Sequence, residues 1–89
     1  MKPIQRNKNF KKHFNQRVAK DKKLVAQFKE RFSLFCLGVR DYPIYDHPLT
    51  GKMAGKRGWS VANDLRVIYR ETDEAIIFID IGSHAQVYK

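Results

Sequence analysis

The first half of the chain shows the hydrophobic period of an amphipathic α-helix twice. The first stretch is RNKNFKKHFNQRVAK, in which Phe10, Phe14 and Val18 recur at steps of four and share one helical face. Asn7 or Asn9 can cap this helix, because a short polar side chain satisfies a free backbone N–H at a helix start. The spacing predicts that both phenylalanines belong to the core.

A second helix is predicted directly after the first. Asp21 is the expected N-cap, and Gly38 is the expected end, since glycine readily adopts the left-handed conformation that terminates many helices. The apolar stripe of this helix comprises Leu24, Val25, Phe28, Phe32, Phe35 and Cys36. The short link between the two helices predicts an antiparallel helical hairpin.

The second half of the chain changes to the period of two that β-strands show. Residues 65–71, LRVIYRE, alternate between an apolar face and a face that carries two arginines. Residues 75–81, AIIFIDI, are apolar on both faces, as expected of a central strand. Residues 58–63, GWSVAN, form a plausible hairpin partner with the tryptophan and valine inward and the serine outward. Ile4 can begin a short edge strand.

The parity of the strands predicts how the layers pack. The apolar residues expected to meet are Leu65, Val67, Ile77, Ile79 and Ile81 from the strands and Phe14, Phe28 and Phe32 from the helices. Arg66 and Asp80 are expected on one face of neighbouring strands and close enough to pair, given a connection of odd length or a bulge. Residues 41–58 are punctuated by prolines and glycines and predict a loop. Together the elements predict an α+β fold over residues 1–89, one domain with an N-terminal helical hairpin packed on a three- to four-stranded antiparallel sheet.

The charge of the chain is concentrated in its first half. The formal net charge is +9; residues 1–40 contain 12 Lys and Arg against 2 Asp and Glu, while residues 41–89 contain 6 against 7. Such a block attracts a polyanion, such as nucleic acid, an anionic membrane or an acidic protein, although a solvated helix surface without a partner has the same appearance. No apolar run approaches the roughly 18 residues of a membrane span. The N-terminus has no secretion signal, and the lone Cys36 is typical of a reducing cytoplasm.

Three short motifs resemble a known family. They are DHPL at 46–49, DLRVIYR at 64–70 and GSHAQVY at 82–88, joined in order by a glycine-spaced link. Together they resemble the YafQ-like branch of the RelE/ParE superfamily of bacterial toxin–antitoxin toxins. The resemblance implies a RelE-like microbial ribonuclease-type fold and a toxin that enters the ribosomal A site and cuts mRNA. The partners it implies are the ribosome, mRNA and a cognate acidic antitoxin, with no role for a membrane.

The chemistry of the residues is compatible with this resemblance. RNA can be cleaved without a metal when its own 2′-OH attacks the adjacent phosphorus, which requires a base, an acid and cations for the developing charge. His84 and His47 are the natural proton carriers, and Arg66 can hold phosphate oxygens with its guanidinium fork. Tyr88 can stack on a base or orient a phosphate. No Cys/His cluster has metal-ligand spacing, so neither a metal nor another cofactor is expected.

The resemblance assigns roles to particular residues, each with a simpler alternative. It matches His84 to a catalytic histidine, Arg66 to a phosphate-binding arginine and Asp64 to a catalytic aspartate. His47 can instead stabilise a turn, and Asp64 belongs to an Asn-Asp pair of a kind that is common in turns. Arg66 can be an exposed strand residue, and Tyr88 can cover the edge of the sheet. The expected RNA-binding cations are Lys52, Lys56, Arg57, Lys11 and Lys12.

Three positions depart from the YafQ-like pattern. Ser60 stands where those toxins have a second catalytic histidine, Gly58 where they have an aspartate, and Asp80 where they have an arginine. The loss of an acid–base histidine lowers a rate by about 10² to 10⁴. The sequence therefore leaves open a toxin that is weak or inactive as an enzyme and acts by binding the ribosome, gyrase or only its antitoxin.

Overall fold

A computed structural model describes residues 1–88 as a five-stranded sheet with two helices against one face. In chain order the elements are β1 (Ile4–Arg6), α1 (Lys8–Arg17), α2 (Lys22–Cys36), β2 (His47–Pro48), a 3-10 turn (Gly51–Met53), β3 (Arg57–Ala62), β4 (Leu65–Glu71), β5 (Ile76–Gly82) and α3 (His84–Val87). None of the helices in residues 1–88 is long and apolar enough to cross a membrane. The predicted α+β class is confirmed.

The sheet has the strand order β1-β5-β4-β3-β2. Strands β2 to β5 pair antiparallel, whereas β1 pairs parallel to β5, with Ile4 opposite Ile76. The prediction of three to four antiparallel strands is therefore corrected to five strands in a mixed sheet. Two of them are too short to give a periodic signal: β1 has three residues, and β2 has two and lies within the predicted loop. The edge strand predicted to begin at Ile4 is confirmed.

The helix boundaries follow from local capping. The side chain of Asn7 accepts a hydrogen bond from the backbone N–H of Phe10 at 2.8 Å, and Asp21 caps α2 in the same way. Gly38, with φ +91°, follows the end of α2, as predicted. Cys36 was expected in the apolar stripe and is instead exposed. It follows the fully buried Phe35, and one further residue turns the side chain by about 100° to the solvent side.

The main core lies between the helices and one face of the sheet. Trp59, Val67, Phe78 and Ile81 are almost fully buried there. Aromatic rings from α2 pack on them; the Phe35 ring stacks on Trp59 with centroids 5.3 Å apart. Offset and edge-to-face ring pairs add stability beyond the area they bury.

A bulge in β5 changes which residues face the helices. Tyr69 pairs with Phe78 and Ile68 pairs with Asp80, so Ile79 is an extra residue without a partner across the ladder. Phe78 and Ile81 therefore both reach the main core, while Ile79 packs on the opposite face in a second apolar cluster. The predicted helix-facing positions of Leu65, Val67 and Ile81 are confirmed. The same prediction for Ile77 and Ile79 is wrong, because the extra residue in a bulge shifts the alternation of side chains between the two faces.

The two faces of β5 predict unequal effects of the same substitution. Ile81→Ala removes a side chain with 0% exposure from the main core, whereas Ile79 is only partly buried. We expect Ile81→Ala to lower the free energy of unfolding by about 3 kcal/mol and Ile79→Ala by about 1 kcal/mol, since the cost grows with the cavity left behind. Urea denaturation of the two variants checks this. Equal losses would contradict the bulge.

Candidate active site

A groove of about 390 Å³ opens on the sheet face opposite the helical hairpin. It is lined by His47, Pro48, Leu49, Thr50, Arg66, His84 and Tyr88. Four of the five predicted catalytic residues therefore lie around one cavity, although they come from three separate elements. The fifth, Asp64, contacts the rim of the groove through the backbone of His84.

The short helix α3 places His84 and Tyr88 together. Ser83 caps this helix, and Gln86 completes a capping box with it. Strand β5 ends at Gly82, and a helical turn follows. Residues four apart share a helix face, and the rings of His84 and Tyr88 are 4.5 Å apart between centroids.

Gly82 leaves room for the capping box of α3. A Cβ atom at Gly82 would lie 2.6 Å from Nη1 of Arg17 and 2.8 Å from Oε1 of Gln86, the oxygen that accepts from Ser83 in the capping box. Glycine at this position therefore lets the side chain of Gln86 fold back onto the end of β5.

Arg66 and Asp64 fix the position of His84. Nη1 of Arg66 lies 3.1 Å from Nδ1 of His84. Oδ1 of Asp64 accepts the backbone N–H of His84 at 3.1 Å and lies 3.8 Å from Nη1 of Arg66. Because a guanidinium only donates, Nδ1 of His84 is the acceptor, and its proton is carried by Nε2.

His47 has the opposite hydrogen-bond pattern. Its Nδ1 lies 2.8 Å from the carbonyl oxygen of Tyr45. A carbonyl only accepts, so Nδ1 of His47 carries the proton and Nε2 is left with a free lone pair. The groove thus contains two imidazoles: Nε2 of His47 has a lone pair that can take a proton, and Nε2–H of His84 can donate a hydrogen bond.

Asp46 is a buried charge that the sequence reasoning missed. Its side chain is 0% exposed and accepts hydrogen bonds from Nε of Arg57 at 2.7 Å and from the hydroxyl of Tyr69. Burial and then the hydrogen bond to Asp46 raise the pKa of Tyr69 above its usual range, so this hydroxyl remains a donor. Partial burial lowers the pKa of Arg57, but the bonds to Asp46 and Tyr69 outweigh it and raise the pKa overall. The network anchors the residue directly before His47.

Loss of the Asp46 charge is expected to destabilise the protein. In Asp46→Asn the amide keeps the size of the side chain, but only one of its two terminal atoms is an oxygen. The variant therefore loses one of the two hydrogen bonds that the carboxylate accepts from Arg57 and Tyr69. We expect the free energy of unfolding to fall by about 2 kcal/mol, as is typical for a hydrogen bond to a charged group. Urea denaturation measures this, with the exposed Asp73→Asn as the matched control. An unchanged midpoint for Asp46→Asn would show that the network contributes no stability.

The predicted RNA-binding cations are not gathered at the groove. Arg57 lies opposite Tyr69 and is bound to Asp46, so it faces away from Arg66 and His84. Lys52 is exposed on the 3-10 turn, and Lys56 is partly buried beside a separate depression. Lys11 and Lys12 are exposed on α1. Their contact with RNA stays a prediction.

The structure also locates the departures from the YafQ-like pattern. Ser60 lies opposite Arg66, and its hydroxyl donates to the carbonyl of Ala62 at 3.2 Å. The bulge does put Asp80 and Arg66 on one face, but their predicted pairing is wrong. Oδ1 of Asp80 lies 2.6 Å from Nδ1 of His13 and 3.6 Å from Arg17, because α1 covers this part of β5. Asp80 therefore leaves Arg66 available to the groove.

The geometry and the comparisons agree on the class of protein. A helical hairpin on a mixed five-stranded sheet, with a groove lined by histidine, arginine and tyrosine, fits the RelE-like class of toxins that the sequence motifs resemble. The model of the YafQ toxin family, the bacterial toxin of a type II toxin–antitoxin system, matches residues 2–89. The chain belongs to this family.

Solved structures support the assignment of the fold. YafQ from Escherichia coli strain BL21(DE3) superposes with a TM-score of 0.81 at 24% identity over all of both chains. A crystal structure of the E. coli DinJ–YafQ complex matches with a TM-score of 0.79 at 25% identity over all of both chains. A second crystal structure of that complex matches at 26% identity, with a TM-score of 0.78, over 99% of this chain and 98% of the other. No curated protein sequence matches this chain.

Proposed function

We propose that this toxin is a ribosome-dependent mRNA endonuclease that cleaves by metal-independent attack of the 2′-OH. The observation that carries the proposal is that two imidazoles line one groove together with an arginine, with Nε2 of His47 and Nε2 of His84 both free of contacts to the protein. General acid–base cleavage of RNA needs a neutral imidazole as the base and an imidazolium as the acid. Arg66, in the same groove, supplies the cation that the phosphorane requires.

The proposed reaction transfers one proton at each end of the scissile phosphate. Nε2 of His47 takes the proton of the 2′-OH while that oxygen forms a bond to phosphorus. Arg66 turns from Nδ1 of His84 to the phosphate, so that Nδ1 can take up a proton and His84 becomes an imidazolium. The imidazolium gives its Nε2 proton to the departing 5′-oxygen as the P–O5′ bond breaks, so the products are a 2′,3′-cyclic phosphate and a 5′-hydroxyl. Arg66 donates to the non-bridging oxygens, on which negative charge increases in the transition state.

Asp64 and Tyr88 have supporting roles in this proposal. Asp64 holds the first residue of α3 through the backbone N–H of His84 and lies near Arg66, so it positions both groups. Tyr88 lies against the His84 ring and presents an aromatic side chain at the groove, where a base can stack.

The partners follow from charge and from the relatives. Residues 1–40 carry 12 Lys and Arg against 2 Asp and Glu, which suits both ribosomal RNA and an acidic protein. Lys11 and Lys12 on α1, with Lys52 and Lys56, are the proposed contacts with RNA. E. coli YafQ is found in complex with DinJ. We propose that a cognate acidic antitoxin neutralises this chain in the same cytoplasm in which it meets ribosomes.

Primer extension on a translated mRNA tests the function. The toxin is added to a purified translation system and to the same mRNA without ribosomes. New cleavage ends that appear only with ribosomes, and that carry a 5′-hydroxyl, are the expected result. Growth arrest without any new mRNA ends would favour the alternative of a toxin that acts by binding. The observation that favours this alternative is Ser60. A serine hydroxyl does not carry protons as an imidazole does, and the related toxins have a histidine at this position.

A further inference from the structure

Two tyrosine rings form an exposed aromatic surface on the loop that precedes β2. Tyr42 is 75% exposed and Tyr45 is 57% exposed, and both are among the most exposed large apolar side chains of residues 1–88. Their rings meet edge to face with centroids 5.9 Å apart. The catalytic scheme uses neither side chain. Tyr45 has φ +51°, a conformation that is uncommon for a non-glycine residue and that clusters at functional sites.

The surroundings of the tyrosine pair are polar. The two rings border a depression of about 420 Å³ whose other lining includes Gln27, Arg31, Ser60 and Asn63. Arg31 holds the segment in place, since its Nη1 donates to the carbonyls of Pro43 and Val61. An exposed aromatic ring next to amide, hydroxyl and guanidinium groups matches a nucleobase, which offers a π-face for stacking and polar edges for hydrogen bonds.

The tyrosine pair is linked to the proposed active site by a hydrogen bond and by the pairing of two strands. The carbonyl of Tyr45 accepts the hydrogen bond that sets the tautomer of His47. Ser60 borders the tyrosine depression and lies opposite Arg66 in the β3–β4 ladder. An RNA strand with its scissile phosphate at Arg66 would therefore have a flanking nucleotide within reach of the tyrosines.

We propose that Tyr42 and Tyr45 form a nucleotide-binding subsite that stacks an unpaired base of the mRNA next to the cleavage position. This inference rests on the proposed function, because the groove defines where the RNA runs. Stacking on an aromatic ring contributes affinity with little dependence on sequence. Ser60 and Asn63 are placed to contact the base edge and so to influence which codon position is cut.

Binding of an RNA that cannot be cleaved tests the subsite separately from catalysis. The probe is a fluorescein-labelled 2′-O-methyl hexaribonucleotide, whose blocked 2′-oxygen excludes the proposed reaction, and the readout is fluorescence anisotropy. The double variant Tyr42→Ala/Tyr45→Ala should bind with a Kd raised about tenfold or more. Tyr42→Phe/Tyr45→Phe should bind like the wild-type protein, since it keeps both rings. Leu37→Ala, which removes an exposed side chain elsewhere, is the control.

An abasic probe with the same number of phosphates separates stacking from charge. The wild-type protein and the alanine variant should bind it equally weakly. The proposal is overturned if the wild-type protein does not bind the hexaribonucleotide, or if the alanine variant binds it as tightly as the wild type. It is also overturned if the alanine variant loses only its co-purification with the antitoxin, because the rings would then be a protein contact. Absence of mRNA cleavage by the wild type would contradict the proposed function while leaving this binding result intact.

Discussion

Replacement of His84 by alanine is expected to lower the rate of translation-dependent mRNA cleavage by about 10² to 10⁴ and to relieve growth arrest. His84 is the imidazole whose Nε2–H is available for the departing oxygen, because Arg66 occupies its Nδ1 side. The side chain is exposed, so the fold should not change. Primer extension measures cleavage, and urea denaturation checks that the variant is as stable as the wild type.

His13→Ala is the matched control for His84→Ala. It removes an imidazole that lies on α1 beside Asp80 and outside the groove. This variant should cleave mRNA like the wild type, and both variants should still bind the antitoxin. If the wild type and His84→Ala arrest growth equally, the nuclease mechanism is wrong, and a toxin that acts by binding takes its place.

Arg66→Ala is expected to reduce cleavage by about 10² or more, as the loss of one oxyanion donor does in other enzymes. Arg66 is the arginine that lines the groove, and it also contacts Nδ1 of His84. Its loss therefore removes a phosphate contact and the group that sets the tautomer of the acid. Arg66→Lys should recover only part of the rate, because an ammonium keeps the charge without the planar fork.

Arg70→Ala tests whether cleavage depends on the position of Arg66 in the groove or only on its positive charge. Arg70 lies on the same strand four residues further on and borders a different depression. It carries the same charge, yet its replacement should leave single-turnover cleavage within about twofold of the wild type. Equal losses from Arg66→Ala and Arg70→Ala would show that general attraction of RNA, rather than stabilisation of the phosphorane, accounts for the effect of Arg66.

The amino-acid sequence was sufficient for features that depend on a few neighbouring residues. The two helices, a cap at Asn7 or Asn9, the cap at Asp21 and the end at Gly38 were predicted from positions within one or two turns, and the structure selects Asn7. The α+β class followed from the change of hydrophobic period, and the family followed from short motifs in order. These features are local because capping bonds and amphipathic faces form between residues that are close in the chain.

The sequence predicted only part of the candidate active site. The resemblance named Arg66, His84 and Asp64, and the structure brings all three into contact. The tautomers of His47 and His84 could not be predicted, because each tautomer depends on the atom that contacts Nδ1. For His84 that atom belongs to a residue 18 positions away.

Other features depend on contacts between distant parts of the chain. The bulge at Ile79 reversed the faces of β5, and neither flanking residue signals it. The burial of Asp46 depends on Tyr69, 23 residues later, and the partner of Asp80 is His13, 67 residues earlier. Strand register and the burial of a charge are set by the packing of whole layers, which minimises cavities and unpaired polar groups together. A periodic pattern records which residues are apolar, but the tertiary packing selects the contacts that each of them makes.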